Sequence, residues 1–117
     1  MCGIVGYSST SNSIELSKFV SMIKSLDYRG YDSWGFTFKD ENQLKTERQL
    51  GKITTPNQQG SATFVIGHTR WATHGKVTEN NTHPLTSNSN NISLVHNGII
   101  ENHQELRNKL KDNGFNF

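Results

Sequence analysis

Cys2 is the only cysteine in the chain and stands directly behind the initiator methionine. A thiol becomes a nucleophile only when a base takes its proton. If Met1 is removed, Cys2 carries such a base on its own residue. An α-amine titrates near ~7.7–8.0 and a thiol near ~8.5, so the transfer costs at most about 1 kcal/mol. A solitary cysteine also excludes an internal disulfide and a cysteine-based metal cluster.

Taken alone, Asn97-Gly98 reads as a common turn, and Arg70 and Trp71 as a surface ion pair and core filling. His68, His74, His83, His96 and His103 do not repeat at the spacing of a helical ligand pair, and no cysteine or acidic cluster joins them, so no metal and no cofactor is expected.

The elements that must position these residues are short. Residues 2–8 read as a buried strand, and Asn12 with Glu15 resembles a capping box. Leu16, Phe19, Val20, Ile23 and Leu26 then share one helical face as far as Asp27. Residues 28–33 form a turn, and alternation of Trp34, Phe36 and Phe38 predicts a half-buried strand. Asp40-Glu41-Asn42 turns it into a polar strand near 44–49, and 54–61 is a loop or a short helical remnant. Strands follow at 62–68 and 92–96, then an amphipathic helix over 101–112 carried by Leu106 and Leu110, stopped by Asn113-Gly114. Phe115-Asn116-Phe117 reads as the start of a strand. Blocks of strands rather than strict strand–helix alternation favour an α+β fold with a mainly antiparallel sheet.

The 117 residues suffice for one domain or part of one, and 32% are hydrophobic. The 12 Lys and Arg against 10 acids are scattered, so no nucleic-acid surface is expected. No apolar stretch approaches a membrane span, and no secretory signal opens the chain. A cytoplasmic location is the expectation.

Five blocks, Cys2–Tyr7, Tyr28–Ser33, Gly67–Gly75, Asn81–Pro84 and Val95–Asn102, resemble the glutaminase (class II glutamine amidotransferase) domain of the glucosamine-6-phosphate synthase family, in that family's order and with similar spacing. Asparagine synthetases and amidophosphoribosyltransferases share the opening Cys-Gly-Ile but generally differ at the second and third blocks. The resemblance implies an N-terminal-nucleophile hydrolase, a four-layer α-β-β-α sandwich present only in part. It implies that Cys2 is the nucleophile, Asn97 and Gly98 the oxyanion hole, and Arg70 the residue that holds glutamine's α-carboxylate. Trp71, Thr73 and His74 then belong to the loop that closes over glutamine, Arg29 and Gly30 to a turn that orients the N-terminus, and His83 has a structural or loop-ordering role. The implied reaction converts glutamine to glutamate and ammonia, which aminates fructose 6-phosphate to glucosamine 6-phosphate.

The sequence departs from the family at Trp34, where a small residue is usual, and at Leu85, where histidine is common. The family's Thr-Asp-Thr-Glu block, whose acid binds the substrate ammonium, does not occur by Phe117. The expectation is therefore an N-terminal portion of the glutaminase domain, without the remainder of that domain or the sugar isomerase modules through which fructose 6-phosphate would bind. The complete enzyme could be a homo-oligomer. Two alternatives stay open: the glutaminase part of another class II amidotransferase, and a non-catalytic remnant acting as an interaction module.

Overall fold

A computed structural model describes residues 2–72 and 75–117. Its centre is a four-stranded antiparallel sheet in the order β1-β6-β3-β4, formed by Gly3–Ser8, Phe64–Arg70, Ser33–Asp40 and Gln43–Leu50. Two small pairs flank it: β2 (Ile14–Glu15) with β5 (Ser61–Ala62), and β7 (Leu85–Thr86) with β8 (Ser93–Leu94).

One face of the sheet is covered by α1 (Leu16–Lys24), which buries Leu16, Phe19, Val20 and Ile23. These meet Trp34, Phe36, Phe38 and Val65, and the rings of Phe19 and Phe36 lie 6.5 Å apart. Gly67 sits opposite Phe36 on β6. A Cβ there would come within 2.7 Å of Ile23 and 2.8 Å of Phe19, so a bare backbone is what lets the helix seat closely.

The opposite face is covered by the segment that carries β7 and β8. Arg48 donates from Nε to the carbonyl of Pro84 (2.8 Å) and from a terminal nitrogen to Thr86 Oγ1 (3.1 Å). Thr37 Oγ1 lies 2.8 Å from Ser93 Oγ, and Gly35 leaves room for the backbone of His83 to cross the sheet. This second cover corrects one sequence expectation. Residues 33–38 of β3 are buried on both faces, not half-buried.

Other local expectations also change. No capping box forms: Glu15 ends β2 and makes no side-chain cap, while the amide of Asn12 donates to Ser9 Oγ. The strand expected at 62–68 divides into β5 and β6. The strand expected at 92–96 shrinks to Ser93–Leu94. Residues 115–117 are not a strand; the amides of Gly114 and Phe115 turn back onto the carbonyls of Lys111 and Leu110, closing α2 (His103–Asp112) with a glycine cap. Trp34, unusual on sequence grounds, is fully buried beside Phe36 and donates from Nε1 to the carbonyl of Lys52 (3.2 Å).

Candidate active site

The start of β1 and the end of β6 lie side by side, with Gly3 opposite Thr69, so Cys2 emerges next to Arg70 and Trp71. Trp71 meets the thiol with both of its backbone polar groups. Its N–H donates to Cys2 Sγ at 3.3 Å, and its carbonyl lies 3.7 Å away as an acceptor for the S–H. The carbonyl of Cys2 receives two donors from distant parts of the chain, Arg29 Nε at 3.2 Å and Asn97 Nδ2 at 3.0 Å. Cys2 is thus held through both its side chain and its backbone.

The turn at 27–33 supports this arrangement. Gly30 has a φ of +146°, and a Cβ on it would lie 2.7 Å from both the backbone nitrogen and the Cβ of Trp71. The amide of Asp32 donates to the Arg70 carbonyl (2.9 Å), and Asp32 Oδ2 accepts from the amide of Ala72 (2.8 Å). The turn therefore clamps residues 70–72 from both sides.

Arg70 is buried and donates to the carbonyl of Lys76 at 2.9 Å, drawing residues 75 and 76 in beside it. On the same face of β6, His68 Nε2 lies 2.7 Å from Asn97 Oδ1. The His68 ring stacks on His83 at 4.5 Å, and the backbone N–H of His96 donates to His83 Nδ1 at 3.2 Å. Burial, reinforced by His68 and Arg70, lowers the pKa of His83 to about 4. Burial also lowers that of His68, although the contact with Asn97 favours its proton. Both rings are neutral near pH 7, as the acceptor role of His83 Nδ1 requires.

These groups enclose a cleft of about 570 Å³, lined by Cys2, Arg70, Trp71, Asn97 and Gly98 together with His68, His83, His96 and Arg107. Among the described residues lining it there are two arginines and no carboxylate, which suits an anionic group on a ligand. No group of three metal-ligating side chains occurs among the described residues.

Of the residues singled out from sequence, Cys2, Arg70, Trp71, Asn97 and Gly98 meet in this cleft, and Arg29 braces it from behind through the Cys2 carbonyl. Thr73 and His74 lie outside the described residues. Two residues that sequence reasoning passed over also bear on the site, Asp32 and His68. The available signal for His68 was parity: it is two residues before Arg70 on one strand, so both project from the same face. Asp32 had no comparable signal beyond its place in the turn.

Residues 54–117 match the glutamine amidotransferase domain family. The chain belongs to that family. It is 43% identical over its full length to glutamine–fructose-6-phosphate aminotransferase [isomerizing] of Synechocystis and 46% identical to the same enzyme of Acinetobacter baylyi. It spans about a fifth of the length of these relatives, 19% in each case. Among solved structures, an allosteric regulatory enzyme of purine biosynthesis superimposes over the whole chain and 26% of its own, with a TM-score of 0.76 at 25% identity. The amidotransferase domain therefore has, in part, the N-terminal-nucleophile hydrolase fold. Its α1 layer and main sheet are two of the layers of that sandwich.

Proposed function

We propose that this chain is the N-terminal portion of a glutaminase domain in which Cys2, freed of Met1, attacks the side-chain amide carbon of glutamine. The observation that carries the reading is the convergence of Cys2, Arg70, Asn97 and Gly98 on one cleft, with the Asn97 amide bound to Cys2 itself. The thiol proton passes to the α-amine of Cys2 as the S–C bond forms. The carbonyl oxygen becomes an oxyanion and is met by the second N–H of the Asn97 amide and by the backbone N–H of Gly98. Collapse returns the proton to the leaving nitrogen and expels ammonia, leaving a γ-glutamyl thioester on Cys2. Water then attacks the thioester carbon as the α-amine takes its proton; collapse breaks the C–S bond, the proton passes back to the Cys2 sulfur, and glutamate leaves. Loss of one oxyanion donor typically costs ~2.7–4 kcal/mol in such a step.

In this reading Arg70 pairs with the α-carboxylate of glutamine, and Trp71, Thr73 and His74 belong to the loop that closes over it. Arg29 orients Cys2 through its carbonyl. The acceptor of the ammonia is fructose 6-phosphate, giving glucosamine 6-phosphate. Support for the acceptor comes from the relatives' name and from identities of 43–46% to them, against 25% to the purine enzyme. The reaction belongs in the cytoplasm, where a thiol nucleophile stays reduced. Among the described residues, no helix is long and apolar enough to cross a membrane. Assembly as a homo-oligomer is part of the same reading.

The test is to follow glutamate and glucosamine 6-phosphate from glutamine and fructose 6-phosphate, using the protein as the cell makes it. Cys2→Ala is expected to abolish glutamate release. Glutamate release that survives Cys2→Ala overturns the glutaminase reading, and Cys2-dependent release without glucosamine 6-phosphate removes the proposed acceptor.

A further inference from the structure

We infer that His68 is a positioning residue for glutamine hydrolysis: its Nε2–H fixes the orientation of the Asn97 amide so that Nδ2 faces Cys2. The inference rests on the reading of Cys2 and Asn97 given above.

The argument starts from an acceptor. The carbonyl oxygen of Cys2 can only accept, so the atom of Asn97 lying 3.0 Å from it must be the amide nitrogen. The amide oxygen then faces His68 Nε2 at 2.7 Å and also only accepts, which requires that Nε2 carry a proton. His68 is 1% exposed, so its Nε2 is shut off from bulk water and meets the Asn97 oxygen instead. An Asn97 amide rotated by half a turn would set its oxygen against the oxygen of Cys2 and remove both donors from the cleft side.

The surroundings preserve this one tautomer. His68 projects from β6 opposite Gly35, over which the backbone of His83 crosses, and its ring rests on the His83 ring at 4.5 Å. Nδ1 is buried and makes no hydrogen bond of good geometry, although the backbone of His96 also favours a proton on the ring. The 2.7 Å contact with the Asn97 amide oxygen outweighs it and sets the proton on Nε2. Arg70 adds positive charge nearby, and burial opposes a charged ring, both of which keep His68 neutral. The result is a chain of contacts from His83 through His68 and Asn97 to the carbonyl of Cys2.

The experiment compares His68→Leu, which fills the space without a donor, with His68→Gln, whose amide nitrogen reaches about as far as Nε2. Both are made in the protein as the cell produces it. Glutamine kinetics are measured beside the rate at which iodoacetamide alkylates Cys2, a displacement at saturated carbon that builds no oxyanion. His68→Leu is expected to lower kcat ~10- to 100-fold, the range of a mispositioned oxyanion donor, while KM and alkylation stay within about threefold of the wild type. His68→Gln is expected to recover most of kcat. A wild-type kcat in His68→Leu, no recovery in a folded His68→Gln, or alkylation falling in step with kcat would each overturn the inference. Should His68→Leu fail to fold, nitrogen-15 NMR of the wild-type imidazoles decides. A neutral ring protonated at Nε2 at pH 7 is expected, and a charged ring or the Nδ1–H tautomer overturns it. Glutamate release that persists in Cys2→Ala defeats the underlying glutaminase reading, whereas a Cys2-dependent enzyme indifferent to His68→Leu defeats this inference alone.

Discussion

The backbone nitrogen of Trp71 points at the sulfur of Cys2 across 3.3 Å, although the two residues are 69 positions apart. The contact depends on Gly30, whose missing side chain leaves room for Trp71 and whose φ of +146° lies in a region that L side chains rarely adopt.

Gly30→Ala should therefore damage both stability and the site. A Cβ at 2.7 Å from Trp71 forces that backbone away from Cys2. The expected cost is about 1–3 kcal/mol of stability from strain and overpacking, together with slower glutamine hydrolysis. Chemical unfolding and steady-state kinetics on the same variant check this; a variant with wild-type stability would show that the turn yields freely.

Met1 should be absent from active protein, because a peptide-bonded Cys2 has no α-amine to serve as base. Intact-mass measurement checks the prediction, and a fully active sample that retains Met1 throughout would defeat it. A diazo-ketone analogue of glutamine should then label Cys2, the only thiol, and excess glutamine should protect it. Labelling indifferent to glutamine would mean that the thiol is merely reachable.

Arg70→Lys keeps the charge but loses the planar fork. Weakened pairing with the substrate carboxylate should raise the apparent KM for glutamine by about ten- to a hundredfold, equivalent to ~1.5–3 kcal/mol. The acylation rate should fall less. The substitution also removes the donor to the Lys76 carbonyl, so residues 75 and 76 should gain mobility. Unchanged glutamine affinity would take Arg70 out of the substrate site.

Stability should fall on acidification through the window set by His83. Its folded pKa is about 4, against ~6.5 for an unperturbed histidine. Between those values the unfolded chain binds a proton that the folded protein refuses, so stability is complete above about pH 6.5 and declines toward pH 4. His68, also lowered by burial, acts with the same sign. At about 1.4 kcal/mol per pKa unit, discounted for partial exposure, His83 alone should account for on the order of 2 kcal/mol. Urea titrations from pH 4 to 7 measure the slope, and His83→Gln should flatten it.

The polypeptide of residues 1–117, made alone, should be unevenly ordered. Strands β3 and β6 carry the core, whereas α2 buries no side chain and leaves Leu106 and Leu110 about 40% exposed. Ten helical residues with no side chain fully buried are marginal in water. Hydrogen exchange should find strong protection in β3 and β6 and almost none in α2. Protection of α2 equal to that of β3 would contradict this.

How legible the protein was in its sequence depended on the range of the interaction involved. The core face of α1 was readable because Leu16, Phe19, Val20 and Ile23 repeat at the helical period, and β1, β3 and β4 because apolar runs and turn residues bound them. The glycine stop at Gly114 was readable for the same local reason. The candidate site residues were legible as residue types within ordered blocks, Cys2 above all, because the chemistry of an N-terminal thiol belongs to one residue.

Tertiary structure decided the rest. Alternation in β3 reports a single buried face, and only the crossing of residues 83–94, held by Arg48 and Ser93, closes the other. The Asn12–Glu15 cap signal lost to strand pairing, because Ile14 and Glu15 satisfy their backbone against Ala62 and Ser61. His68 looked like one of five scattered histidines until the fold brought Asn97 to its ring. The sequence by itself determined which groups are present, together with the local periods that form α1 and the main strands. Which donor meets which acceptor was decided by folding, because the pairs Cys2–Trp71, Cys2–Asn97 and His68–Asn97 are separated by 69, 95 and 29 residues, distances over which no local pattern carries information.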